Sequence, residues 1–168
     1  MRTLNLLEAS VQPELLQLMH SWRYYPAVIV DPQLEVLALN LTAQRLYGRV
    51  ADETNLARFV FGNQAARDFL ADWPKVARDV VAGLRVAAGN DPRNPALRVL
   101  VAELTASSTE FRSLWSHSKA EPSSAGVLRL RDAELGLMSL NFQVFGIDDR
   151  TGQQLVVFQP AGTADLRP

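Results

Sequence analysis

The sequence predicts an α+β fold, a five-stranded antiparallel sheet with helices packed on one face. Extended runs cluster toward the two ends of the chain, and helical stripes fill the middle. Alternating strands and helices would argue for a parallel sheet, whereas grouped strands with short connections argue for antiparallel pairing. Size and composition fit the same picture. With 168 residues, 48% hydrophobic and 21% charged, the chain suits one domain with a buried core rather than a disordered or fibrous polymer.

Leu4, Leu7, Val11, Leu15, Leu18 and Met19 recur at helical spacing, and Pro13 suits a helix's first turn because it leaves no amide hydrogen unpaired. Ala27-Val28-Ile29-Val30 is short and largely β-branched, Asp31-Pro32 turns, and Glu35 to Asn40 is extended again, which together make a β-hairpin. Leu41 to Tyr47, stopped by Gly48, and Asn55 to Phe61, stopped by Gly62, read as short helices. Phe69, Trp73, Val76, Val80 and Leu84 then mark an apolar stripe, with Arg67, Asp72, Lys75 and Asp79 off it. Pro74 lacks a donor and clashes with the preceding turn, so it predicts a kink, or a restart with Asp72 as N-cap.

Gly89-Asn90-Asp91-Pro92 ends that helix, and Asn94 and Pro95 cap and open the next, whose core face is Leu97, Leu100, Val101 and Leu104. Ser107 to Glu110 has capping-box spacing ahead of a helix presenting Phe111, Leu114 and Trp115. Ser116 to Ala125 is polar and reads as a loop. Strands follow at Gly126–Arg131, at Leu137–Phe145 and, after the turn Asp148–Gly152, at Gln154–Gln159. In the middle one, Met138, Leu140, Phe142 and Val144 alternate with Ser139, Asn141 and Gln143. Residues 1–12 read as a linker or the remnant of a preceding domain, 13–160 as the domain and 161–168 as a tail.

Seventeen basic against eighteen acidic side chains give a net charge of −1, which argues against a nucleic-acid or membrane surface on this chain. The absence of cysteine excludes disulfides, thiolate catalysis and cysteine-ligated metals. With only His20 and His117, a histidine-built metal site is not expected, nor is any cofactor. No apolar run is long enough to span a bilayer and no signal-peptide centre is present, so a soluble cytoplasmic protein is expected. No Gly-x-Ser-x-Gly elbow and no glycine-rich phosphate loop occur, and His117 has no acid–base partner at defined spacing, so an enzyme is not expected.

Several strings, in chain order, carry a resemblance. They are Pro26-Ala27-Val28-Ile29-Val30-Asp31, Val36-Leu37-Ala38-Leu39-Asn40, Asn55-Leu56-Ala57-Arg58, Asp72-Trp73 and Val81-Ala82-Gly83-Leu84-Arg85. Leu100-Val101-Ala102-Glu103-Leu104, Ser108 to Trp115 with His117, and Gln154-Leu155-Val156-Val157-Phe158 continue the series. From about Pro13 to Pro160 the chain resembles the MmyB-like transcription regulator ligand-binding domain. The resemblance implies a PAS-like sheet, a sensor role behind an N-terminal helix-turn-helix domain that is not within this sequence, and a small apolar, fatty-acid-like ligand. It also implies contact with DNA only through that other domain; a homodimer is expected as well. The sequence departs from the pattern at Pro74, at Ser118-Lys119-Ala120-Glu121 and at Arg131-Asp132-Ala133-Glu134, where a second histidine is usual.

Candidate ligand-binding residues are Arg112, Trp115, His117, Asn40, Arg85, Tyr25, Phe59, Trp73 and Phe111. Arg112 and Trp115 lie three apart and share a helical face, so Arg112 would pair with a ligand carboxylate and His117 would act as a titratable second partner. Alternatively, Arg112 pairs with an internal acid and His117 complements the helix C-terminus. Asn40 fits an N-cap, and Arg85 fits the end of its helix. Trp22, Tyr24, Tyr25, Phe59, Phe61, Phe69, Trp73, Phe111 and Trp115 supply aromatic surface that either fills a core or lines an apolar cavity. A ligand sensor needs the cavity. A dimerisation module with a filled core needs instead an exposed stripe of Leu4, Leu7, Val11 and Leu15 for a second chain to cover.

Overall fold

The computed structural model describes residues 7–48, 52–117, 119, 121–148 and 150–161. After a 3-10 turn at Glu8–Ser10, α1 (Pro13–Ser21) opens on its proline as predicted. The hairpin follows as β1 (Ala27–Val30) and β2 (Val36–Leu39). Its turn is held by Asp31, whose Oδ1 accepts from the amides of Gln33 and Glu35 at 2.9 Å each. Burial nonetheless raises the Asp31 carboxyl above its ordinary value.

Asparagines punctuate the middle of the chain. Asn40 caps α2 (Leu41–Tyr47), Asn55 caps α3 (Leu56–Gly62), Asn63 caps α4 (Gln64–Phe69) and Asn94 caps α6 (Pro95–Ser107), each side chain accepting amides that the first turn leaves unpaired. Between α4 and α6 runs α5 (Trp73–Asn90), which starts afresh at the Pro74 break. Asp72 occupies the N-cap position there without capping, because its carboxylate is taken by Arg129 at 2.6 Å to each oxygen. The cap of α7 (Thr109–His117) is Ser108, not Ser107. Ser108 Oγ accepts from the Phe111 amide at 3.1 Å, while Ser107 ends α6 with its hydroxyl on the Glu103 carbonyl. In a run of neighbouring hydroxyls, the phase of the incoming helix decides which one faces the free amides.

The chain closes with β3 (Ala125–Asp132), β4 (Gly136–Asp148) and β5 (Gln153–Pro160). The five strands form the expected antiparallel sheet, in the order β2-β1-β5-β4-β3. β5 therefore joins the two ends of the chain, pairing with β1 from Val30↔Gln154 to Ala27↔Val157 and with β4 along its length. A short piece of backbone is added at each edge. Asn55 bridges Glu35 beside β2, and Leu70 bridges Leu130 beside β3, where the Ala71 amide also donates to the Arg129 carbonyl at 2.9 Å.

Helices α2 to α5 lie over one face of the sheet. α6 and α7 stack outside them, with Leu97, Leu100, Leu104 and Phe111 buried against Ala57, Val81 and Leu84. In addition to the expected layer, α1 covers the opposite face, where Val11 and Met19 are buried against Ala27, Ile29, Leu37, Ala38 and Leu155. The alternation of the hairpin explains this, because Val28 and Val30 face one layer while Ala27 and Ile29 face the other. Val11 thus packs into the body of the domain although it precedes residue 13. Tyr24 and Tyr25, which sequence offered to the aromatic core, are exposed at 80% and 45% in the turn after α1.

Candidate functional site

A cavity of about 430 Å³ lies between the sheet and its helical layer. That volume falls in the range of small-molecule sites. Its floor is the inward row of the sheet: Val28 and Val30 of β1, Val156 and Phe158 of β5, Phe142 and Val144 of β4, and Leu128 and Leu130 of β3. Its roof comes from Leu46 and Tyr47 of α2, Phe59 and Val60 of α3, Phe69 of α4, and Val76, Val80 and Gly83 of α5. Tyr47 is pinned by its hydroxyl, which donates to the Glu53 carbonyl at 2.8 Å, and by edge-to-face contact with Phe59 at 5.3 Å. Burial raises its phenol well above the ordinary range.

Along one side the lining turns polar and reaches solvent. Lys75, Asp79 and Gly83 stand four residues apart on α5, so they form one row beside the apolar Val76 and Val80. Lys75 Nζ lies 3.2 Å from Asp79 Oδ2 and 5.6 Å from the centre of the Phe142 ring. Ser123, in the segment between α7 and β3, donates to the other oxygen of Asp79 at 2.9 Å. Next to them sits the Asp72–Arg129 pair. There the Arg129 guanidinium holds the Asp72 carboxyl below its ordinary value, and Asp72 in turn raises Arg129.

Of the residues that sequence offered for ligand binding, Phe59 alone lines this cavity. Asn40 is fully buried, but as a tie between backbone segments: Oδ1 accepts from Ala27 and Ala43, and Nδ2 donates to Tyr25 at 2.8 Å and more loosely to Trp22 and Met19. Tyr25 thus contributes its carbonyl and leaves its ring outside. Trp73 and Phe111 belong to a filled cluster in the helical layer, where Phe61 meets Trp73 at 5.8 Å and Phe111 at 5.1 Å, both edge-on, and Trp115 stacks on Phe111 at 5.6 Å. Trp73 also donates to the Val60 carbonyl at 2.8 Å and lies under the Arg67 guanidinium.

The three basic candidates serve helix ends. Arg112 donates to the Thr105 carbonyl in the last turn of α6 at 2.9 Å, rather than pairing with an acid. Arg85 is not at the end of its helix, which continues to Asn90; it crosses to α7 and donates to the Trp115 carbonyl. His117 closes α7 with Nδ1 3.0 Å from the Ser113 carbonyl. Arg112, Trp115 and His117 therefore gather on α7, away from the sheet and the cavity. Among the described residues, no group of His, Asp and Glu side chains assembles as metal ligands would, and no helix is long and apolar enough to cross a membrane.

Comparison with known proteins gave two findings. The family model described as MmyB-like transcription regulator ligand binding domain matches residues 11–166. Among solved structures, the PAS domain of a protein from Desulfitobacterium hafniense is similar over 86% of this chain and 99% of its own, with 9% identity and a TM-score of 0.38. No curated protein matched.

Proposed function

Since this chain belongs to the family of MmyB-like transcription regulator ligand-binding domains, we propose that its cavity between sheet and helices is the sensing site, and that the ligand is an apolar, fatty-acid-like molecule. The observation that carries the reading is the cavity itself. About 430 Å³ is left between an apolar floor and an apolar roof, while the aromatic cluster of the outer helices is closely packed. A folded core normally closes such a space, because unfilled volume forfeits dispersion contacts.

The ligand acts by population shift. It biases an attached helix-turn-helix domain only by the difference in its affinity for two arrangements of the helices. The path we propose runs from α2, which contributes Leu46 and Tyr47 to the roof, through Asn40 to the segment that follows α1. The same reading supports a cytoplasmic location and contact with DNA only through the attached helix-turn-helix domain.

Native mass spectrometry of the purified chain, with lipid analysis of denatured extracts, tests the reading. The expected result is a stoichiometric extra mass that extracts as an amphiphile, and its loss in Val156→Trp, which fills the floor. A bare mass combined with no rise in melting temperature across a fatty-acid and metabolite panel refutes it, because a ligand that binds only the folded state must raise that temperature. Homodimerisation is supported by Leu7 and Leu18, which stay exposed near α1 at 55% and 53%. Of the wider stripe required by a purely dimerising module, Leu4 lies outside the described residues, Val11 is buried and Leu15 packs against the sheet. Sedimentation velocity decides the oligomeric state.

A further inference from the structure

We infer that the cavity is polarised, and that Lys75 is the anchor for the anionic oxygen head of an amphiphile whose apolar tail lies over the sheet. The inference rests on the proposal that the cavity binds ligand, and adds which way round the ligand sits. Among the described residues, four charged side chains line the space: Asp72, Lys75, Asp79 and Arg129. Asp72 and Arg129 neutralise each other in a two-pronged pair that uses two of the five guanidinium N–H donors, and Arg129 alternates with Leu128 and Leu130 of the floor, so it leaves β3 from the other face. Both oxygens of Asp79 are engaged, one by Lys75 and one by Ser123. Lys75 differs from the other three in standing over the floor, 5.6 Å from the centre of the Phe142 ring. Its ammonium carries three donors, and the hydrogen bond to Asp79 uses one of them. The unspent hydrogen-bonding capacity over the floor is therefore donor capacity on a cation, which suits a carboxylate or similar oxygen acceptor.

The strand opposite is shaped for that role. Gly126 of β3 faces Phe142, and a Cβ built there would lie 3.2 Å from the ring edge and 3.8 Å from Lys75 Nζ. The missing side chain is what lets the Phe142 ring lie against the strand with the ammonium poised over it. A side chain here would push the ring into the cavity or displace the lysine. Away from that rim, Gln154 is an exposed polar residue of the lining. It stands on β5 opposite Val30, remote in register from the Phe142↔Phe158 pair, and bears no charge.

Dodecanoate and dodecanol, which share a tail and differ in the head, are the probes. Binding to wild type, Lys75→Met, Lys75→Arg and Gln154→Leu is measured by calorimetry, after melting curves have confirmed that each variant folds. Lys75→Met is expected to weaken dodecanoate about tenfold or more while leaving dodecanol within about twofold, the loss associated with one charge-assisted hydrogen bond. Lys75→Arg should recover most of the difference, and Gln154→Leu should leave the preference between the two probes unchanged. Equal weakening of both probes by Lys75→Met, or no weakening of either, overturns the assignment of the head-group end while leaving the cavity as a binding site. Failure of wild type to bind either probe, together with a bare native mass, overturns the cavity reading and this inference with it.

Discussion

Replacing Asn40 by alanine should cost the domain about 3–5 kcal/mol, a large share of the 5–15 kcal/mol typical of a folded protein. The figure follows from its partners. Oδ1 accepts from the Ala27 and Ala43 amides at 3.0 Å each, and Nδ2 donates to the Tyr25 carbonyl at 2.8 Å, in a site with no exposure. Each buried group left unpaired costs roughly 1–3 kcal/mol, and one of these bonds is also the N-cap of α2, worth about 1 kcal/mol by itself. The assay is urea denaturation, in which the midpoint should fall with the slope unchanged. Asn40→Asp separates the contributions. It keeps the acceptor but turns a carboxylate toward carbonyl oxygens, so its folded pKa should rise above the unfolded value. Its stability deficit should then shrink as pH falls and grow as pH rises through that interval. A loss below about 1 kcal/mol for Asn40→Ala would refute the view that this residue ties the α1–β1 segment to α2.

Three further outcomes are expected. Gly152→Ala should destabilise by more than about 1 kcal/mol and by more than Gly136→Ala. Both glycines have positive φ, but at Gly152 a Cβ would also lie 2.8 Å from Pro32, so equal losses in thermal unfolding would contradict the contact between the two turns. Arg129 holds Asp72 below its ordinary 3.8, so the pair stabilises the fold above that pH and the contribution is lost as pH falls through the depressed value. Asp72→Asn should therefore flatten that stretch of the acid unfolding curve, visibly at low salt and hardly at high salt, and superimposable low-salt curves would count against it. Of the three tyrosines, Tyr47 should ionise only as the protein unfolds in alkali, since burial lifts its folded pKa above the ordinary 10.0 and stability falls as pH rises past that value. Alkaline difference spectra of wild type and Tyr47→Phe would expose the error if Tyr47 titrated near its ordinary 10.0 in the folded protein.

Local punctuation made most of the fold legible. Pro13, Asn40, Asn55, Pro74 and Asn94 each constrain their own neighbourhood, and the elements begin where they say. The one-residue slip from Ser107 to Ser108 shows the limit, since adjacent hydroxyls are chemically equivalent until the helix phase is known. The site was less legible for a different reason. Val28, Phe142 and Val156 have the pattern of residues in a filled core, and whether helices stand off a sheet depends on contacts across the whole chain. Arg112, His117 and Trp115 looked like a binding set because they bear the chemistry on one short helix, yet their partners are helix ends and Phe111. Lys75 and Asp79 did offer a signal, a four-residue spacing that continues to Gly83, but Ser123 joins them from 44 residues away.

The single-residue bridges at the two margins of the sheet bear on how the protein behaves at high concentration. An uncovered outer strand offers a row of free amides and carbonyls to any other extended chain, which is how sheets grow into aggregates. Here Leu70 and Ala71 occupy part of the margin of β3, and Thr54 and Asn55 occupy part of the margin of β2, where the Val36 amide donates to the Thr54 carbonyl at 2.7 Å. Both stretches belong to loops that enter helices, so the helical layer holds them in place. Loosening either loop would free the margin it guards. Fibril formation is then the failure to watch for in variants of residues 53–55 and 70–72, even where the melting temperature barely changes.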